Sequence, residues 1–320
     1  MQISRRAALA LAAASLATST AFAQSWPARP IRMIVPFPAG GGTDILTREV
    51  TGKLKGYDFV IDNKPGAGGN LGVDAAAKSA ADGYTFVMGQ TSNLAINPTL
   101  YSHLPYDPLK DLTPVSLVAS SPLVIVVGAT SPFHTLADVV KEAKAHPGSV
   151  NIAYSGNGTV AHLATVSFEK LAGVQLTRVP YKGAAQGAVD VISGAVQLYI
   201  SSVPTLIGHI RTGKMRALAV TSLQRVGDLP QVPTVSESGY KGFEAVTWFG
   251  ILGPANLPKP VVAKLNADIN AALKDPELKK KFEAQGADVL GGSAERFSTL
   301  MHEDLARWAP IVKESGAKVD

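Results

Sequence analysis

Eight short runs rich in β-branched or aromatic residues punctuate this chain. Between several of them lie segments whose apolar positions recur at helical spacing, an alternation that leads to parallel sheets covered by helices. The runs are IRMIV (31–35), DFVI (58–61), YTFVMG (84–89), LVIVV (123–127), VNIAYS (150–155), LTRVPY (176–181), QLYIS (197–201) and RALAV (216–220). TLADVVKEAKAH (135–146), VAHLATVSFEKLA (160–172) and AAQGAVDVIS (184–193) carry the helical pattern. After VTWFGILGP (246–254) the character changes: three helical patterns, 259–274, 275–286 and 293–315, follow with no strand expected between them. That tail is expected to pack on one domain as a helical layer.

Two stretches run on extended without a helix. Pro114 to Val127 carries Ser120, Ser121 and Pro122 in its middle, and Arg216 to Val226 returns in the same manner. A chain that leaves one α/β unit and comes back builds two lobes with a cleft between them. The expected division is 24–121 with 222–320 for the first lobe and 122–221 for the second. Ligands of open α/β sheets sit beyond the carboxyl ends of the strands, so loops at strand ends in both lobes would face the cleft. With no cysteine anywhere, disulfides and thiolate metal sites are excluded, and an apolar fraction of 46% is ample for the core that must hold the fold.

The first 23 residues, MQISRRAALALAAASLATSTAFA, read as a secretory signal peptide. Arg5 and Arg6 form a basic start, an Ala/Leu core follows, and Ala21-Phe22-Ala23 supplies the small-x-small triplet, with cleavage expected after Ala23. The apolar core is shorter than the roughly 20 residues that span a bilayer. The Ser4-Arg5-Arg6 start leaves Sec and twin-arginine export both open. The net charge of +5 falls further on cleavage, too mild a balance for a nucleic-acid partner, and aromatics are not interleaved with the basic residues.

Between the first run and a helix start stands VPFPAGGGTD (Val35 to Asp44), whose glycines present backbone N–H groups to an anion. Gly41 is expected to approach the ligand and to take a positive φ. Asp44, in the first helical turn, is read as a cap and dipole partner in preference to a ligand contact. The competing motifs fail. PGAGGNLG spaces Gly66, Gly68 and Gly72 wrongly for a dinucleotide fingerprint, and the next run ends FVMGQ without the ribose-binding acid, so no cofactor is expected. GHIRTGKM ends in Met215 where a P-loop needs Ser or Thr and reads as a helix stopping at Gly213. No G-x-S-x-G elbow and no paired-histidine metal spacing occurs. His162, following YSGNGTVA, is either a helix-end packing residue or a ligand contact.

Taken in order, RPIRMIVPFPAGGGTD, NKPGAGGNLG, DGYTFVMG, LPYDPLKDLTPVSLVA, NIAYSGNGTVAHLA, VPYKGAAQGAVD, IRTGKMRALAVTS, LPQVPTVSESGYKGFEAVTWFGILGP and WAPIVKESGAKVD resemble the Bug-type solute-binding proteins of tripartite tricarboxylate transporters. The resemblance runs from Arg29 to the C-terminus. It implies an α/β, two-lobed periplasmic binding protein of type II-like form, each lobe a mainly parallel sheet flanked by helices, that closes on a small organic carboxylate. It also implies delivery to the membrane subunits of such a transporter, with the chain acting as a monomer.

Carried over, the anion loops are Pro38, Ala39, Gly40, Gly41, Gly42, Thr43 and Asp44 in one lobe and Ser155, Gly156, Asn157, Gly158 and Thr159 in the other. Thr91, His162, Tyr181, Ser201 and Trp248 complete the candidate contacts. Where many members carry an acid or amide late in the GGQVDLMFDN stretch, this chain reads SGAVQLYISSVP, with Gln197 and Ser201. Losing a carboxylate at 201 makes an amino acid ligand unfavoured. Tyr154, Tyr181 and Trp248 either line the cleft, which would suit an acid with an apolar or aromatic body, or pack between elements. A sensory receptor serving a membrane kinase and a periplasmic enzyme stand as the alternative functions.

Overall fold

The computed structural model describes residues 26–317 and 319. The signal peptide and its cleavage site lie outside the described residues.

The strands are β1 (Ile31–Val35), β2 (Phe59–Asn63), β3 (Thr85–Gln90), β4 (Leu112–Gly128), β5 (Asn151–Tyr154), β6 (Thr177–Pro180), β7 (Leu198–Ser202), β8 (Met215–Val220), β9 (Val246–Pro254) and β10 (Asp288–Val289). The helices are α1 (Gly42–Lys53), α2 (Asn70–Ala77), a π-helical turn (Ser92–Ile96) running into α3 (Asn97–Leu100), α4 (Leu136–Ala145), α5 (Val160–Ala172), α6 (Ala184–Ser193), α7 (Val203–Arg211), α8 (Lys259–Leu273), α9 (Pro276–Ala284) and α10 (Ala294–Ser315). Local chemistry sets several ends. Thr135 and Asp138 form a reciprocal capping box on α4, and Thr159 caps α5, which stops at Gly173 in the left-handed region.

Strand order is β2-β1-β3-β9-β4-β7-β5-β6. In one half β1 lies parallel between β2 and β3, and in the other β5 lies parallel between β6 and β7. The 17-residue β4 joins them. Its first part pairs antiparallel with β9, from Leu112↔Pro254 to Pro122↔Val246, and its second part pairs antiparallel with β7 and β8. Each lobe therefore holds a mixed sheet, where the sequence suggested a mainly parallel one, because the same long strands that cross between lobes also complete both sheets.

Two further expectations are corrected. Asp288 and Val289 do form a short strand between α9 and α10, pairing with Ser120 and Ala119 at the middle of β4. The C-terminal helices also do not all serve one lobe. While α8 and α9 cover the first sheet through Leu265, Ile269 and Phe282, α10 inserts Phe297, Met301 and Trp308 into a cluster shared with Leu163 and Phe168 of α5. Between the crossings, Leu229 and Val232 pack with Val124, Val126 and Leu206, and the Val235 N–H donates to the Val220 carbonyl at 2.8 Å. The chain thus stays against the second sheet beyond residue 222 and re-enters the first at Val246.

Candidate functional site

The crossing strands have two faces, and period-two alternation sorts their side chains between them. Thr247 and Phe249 of β9, with Leu123 of β4, face a cavity of about 60 Å³ between the lobes. Val246 and Trp248, with Ser120 and Pro122, face a groove on the opposite side.

Around the cavity the lobes touch directly. The Gly42 N–H donates to Thr205 Oγ1 at 3.0 Å and the Val160 N–H donates to Ser92 Oγ at 3.2 Å, each bond joining one lobe to the other. A Cβ built on Gly183 would lie 2.8 Å from Pro38 Cγ, so those loops are in contact as well. The arrangement is a closed one.

Four helix N-termini converge on this space. α1 arrives through Gly41, Gly42 and Thr43, α5 through Thr159, Val160 and Ala161, α6 through Lys182 and Gly183, and α7 through Ser202 and Thr205. Each brings the positive end of a helix dipole and the first N–H groups of a helix, which have no partner inside it. Among the described residues, no hydrogen bond within the chain occupies the Thr43 or Ala161 N–H, and both residues line the cavity. No Asp or Glu lines it, and its one charged lining residue is Lys182. The potential there is positive from both sides, and a small anion is the guest it favours.

The family model for the tripartite tricarboxylate transporter family receptor, TctC, matches residues 46–317. The chain belongs to this family. Protein BugT of Bordetella pertussis is 40% identical over 301 residues, which cover 93% of this chain and 92% of that protein. Among solved structures, R. palustris Rpa4515 with adipate is 35% identical with a TM-score of 0.89, covering 92% of this chain and 100% of that one. MatC from Rhodopseudomonas palustris with bound malate is 29% identical with a TM-score of 0.84, covering 90% of this chain and 100% of that one. The chain is accordingly a solute-binding receptor of the TctC/Bug type.

In this TctC receptor, Pro38, Gly41, Gly42, Thr43, Ser155, Thr159 and Ser201 line the cavity. The other sequence candidates stand behind or beside it, and each has a local employment. Gly41 has φ −79°, and the positive φ belongs to Gly40 at 77°. Close approach falls one residue later than expected, at Gly42, where a Cβ would lie 2.5 Å from Ser202 Oγ. Ala39 and Gly40 form the outer side of the turn. Asp44 is 3% exposed and accepts from the Gly40 N–H at 2.9 Å, Arg48 Nε at 2.9 Å and Asn63 Nδ2 at 3.0 Å. Burial pushes its carboxyl up, but the hydrogen bonds from Arg48, Gly40 and Asn63 outweigh that and hold it below the usual carboxylate range. Asp44 does not line the cavity; it ties the turn before α1 to Asn63 of β2.

Thr91 is fully buried and accepts from the Trp248 N–H at 2.9 Å, leaving its neighbours Gln90 and Ser92 to face the cavity. Gly156 and Gly158 take φ of 100° and 78° and shape the turn, while Asn157 Oδ1 accepts from the Tyr154 hydroxyl at 2.8 Å. Tyr181 donates to Asp190 Oδ2 at 2.6 Å. Trp248 donates its indole N–H to Asp304 Oδ2 at 2.6 Å and packs edge-on against Phe297 at 5.6 Å. Tyr154, Tyr181 and Trp248 are thus packing residues, and the rings at the cavity are Phe37 and Phe249. The expectation of an aromatic-bodied ligand, which rested on those three, loses its support.

His162 resolves in the same direction. It is 3% exposed, stacks on Tyr154 with centroids 5.1 Å apart, and its Nδ1 accepts from the Gly158 N–H at 3.4 Å. Burial, with Arg178 as the lesser cause, lowers its pKa to about 4. The neutral ring is the form the folded state accepts, so the unfolded chain binds the extra proton first. Stability from this group is fully present above pH 6.5 and is lost as pH falls toward 4, by on the order of 3 kcal/mol. Chemical denaturation of wild type and His162→Asn between pH 7 and pH 4, windows set by about those pKa values, should show a shallower acid loss in the variant. Parallel curves would place the titrating group elsewhere.

The sequence reading missed Phe37, Gln90, Ser92, Leu123, Val160, Ala161, Lys182, Gly183, Ser202, Thr205, Thr247 and Phe249. A usable signal existed for some of them. Ser202 before Pro204 is a helix-start pattern, and Lys182-Gly183 immediately precedes a helix. In VTWFGI the alternation that turns Trp248 to one face must turn Thr247 and Phe249 to the other.

Proposed function

We propose that the protein is an exported, periplasmic receptor that closes its two lobes on one small organic carboxylate and delivers it to a tripartite tricarboxylate-type membrane transporter. The observation that carries this reading is the convergence of four helix N-termini, from both lobes, on a cavity with no acidic side chain. A carboxylate held by N–H groups of α1 and α5 together gains its full set of hydrogen bonds only when the lobes meet, so capture and closure are one equilibrium. The relatives that carry adipate and malate support acids of a few carbons. Binding to a closed form suits hand-over, because a partner that favours the open form would lower the affinity for the acid.

The test is a thermal-shift panel of mono- and dicarboxylates, sugars, inorganic phosphate and amino acids. At a concentration about 100 times its dissociation constant a true ligand stabilises by about 2.7 kcal/mol. Succinate, malate or adipate should raise the transition while glucose, phosphate and glutamate do not. A silent carboxylate series beside a stabilising sugar or phosphate would remove this reading.

A further inference from the structure

Lys182 is the single charged residue that lines the cavity, and none of the described residues engages it. Among the described residues it has no ion pair and no hydrogen bond, although the chain forms ion pairs widely elsewhere. It stands beside Gly183, whose backbone meets Pro38 of the opposite lobe, so the residue sits at the seam where the lobes close. The first carboxylate needs no cation, because the N–H groups of α1 and α5 lie deeper, next to Thr43 and Ala161. Of the acids nearest the two loops, Asp44 is held by Arg48, Asn63 and the Gly40 N–H, and Asp190 accepts from the Tyr181 hydroxyl and the Gln186 amide, so neither pairs with the lysine. The hydroxyls of Ser202 and Thr205, 2.9 Å apart, lie on the same lobe.

We propose that Lys182 binds the second acid group of the ligand, making this receptor selective for dicarboxylates over monocarboxylates of equal length and over amino acids. The inference rests on the carboxylate reading above and adds the residue that decides between anions of different charge. A monocarboxylate would leave the ammonium without its partner at the closed seam, and an amino acid would set its own ammonium in a cavity that offers no acid to receive it. A dicarboxylate satisfies both ends, its second acid group pairing with the Lys182 ammonium at the rim of the seam.

The experiment compares calorimetric affinities of wild type, Lys182→Met and Lys182→Arg for adipate against hexanoate and for succinate against butyrate. Lys182 is exposed, so these changes leave the core untouched. Wild type should favour the dianion of a pair, Lys182→Met should cut that preference about tenfold, the scale of one charge-assisted hydrogen bond, and Lys182→Arg should restore most of it. Added salt should erode dianion binding more in wild type than in Lys182→Met. If wild type binds a dianion and Lys182→Met keeps the same preference, the role of Lys182 is overturned while the carboxylate reading stands. If wild type binds monocarboxylates as well as dicarboxylates, the proposal also fails. Binding of none of the four acids overturns both.

Discussion

Gly42→Val should lose carboxylate binding by at least about a hundredfold while remaining folded, since it removes closure, the step in which both lobes contribute hydrogen bonds. The reason is local. A Cβ at this position would lie 2.5 Å from Ser202 Oγ, 3.4 Å from Thr205 Oγ1 and 3.5 Å from Pro204 Cβ, all atoms of the opposite lobe. The valine meets nothing comparable within its own lobe, so an open protein accommodates it and a closed one cannot. The same substitution displaces the Gly42 N–H from Thr205, one of the bonds that latches the lobes. Gly40→Ala is the informative control: its Cβ has open space, but its φ of 77° makes the change a backbone cost of about 1–2 kcal/mol. That variant should lose stability and keep most of its affinity. Calorimetry with the best dicarboxylate and a thermal melt on each variant separates the two effects, and wild-type affinity in Gly42→Val would show that closure does not pass through this contact.

Trp248→Ala should be the costliest single change to the fold, by about 3–5 kcal/mol, with the melting temperature falling on the order of 10 °C. The side chain is 5% exposed, packs on Phe297 and donates to Asp304, so its loss opens a cavity where β9 meets α10 and leaves the 5% exposed Asp304 carboxylate with Arg307 alone. Affinity measured on the molecules that remain folded should change little, because the ring faces away from the ligand cavity. Trp248→Phe, which keeps the ring contact and drops the N–H, should fall between. A variant that melts like wild type but no longer binds would return Trp248 to the ligand.

Most of the secondary structure was legible because periodicity and caps are local signals. VAHLATVSFEKLA and AAQGAVDVIS coincide with α5 and α6, and the eight strand runs each overlap a strand. The long β4 was visible as a helix-free stretch, but its antiparallel partner β9 is more than a hundred residues away, and no local pattern reveals that pairing. The two-residue β10 carries too little sequence to announce itself. At the site, the glycine loops were legible as anion-binding backbone because glycine and the following helix start are both local features. Which residue of a loop faces inward was not. Thr91 against its neighbours and Trp248 against Thr247 and Phe249 are each a choice of face, set by how the lobes dock. Large polar-tipped residues misled for a related reason. Tyr181, Trp248 and His162 have the look of ligand contacts, yet each satisfies its polar atom within the protein, on Asp190, Asp304 and the Gly158 N–H. Lys182 was overlooked because a lysine ahead of a helix is ordinarily a solvated residue, and only the meeting of its loop with Pro38 gives it a site to serve.

The central claim, that paired helix N-termini hold one small dicarboxylate between closed lobes, is tested most directly by native mass spectrometry in competition. The receptor, freed of any carried-over ligand by refolding or exhaustive dialysis, is mixed with equal amounts of succinate, malate, adipate, hexanoate, glutamate, glucose and phosphate. One adduct per chain with the mass of a dicarboxylate, absent from Gly42→Val, is the predicted result. An adduct with the mass of glucose, phosphate or glutamate, or a dicarboxylate adduct that Gly42→Val retains undiminished, would contradict the account.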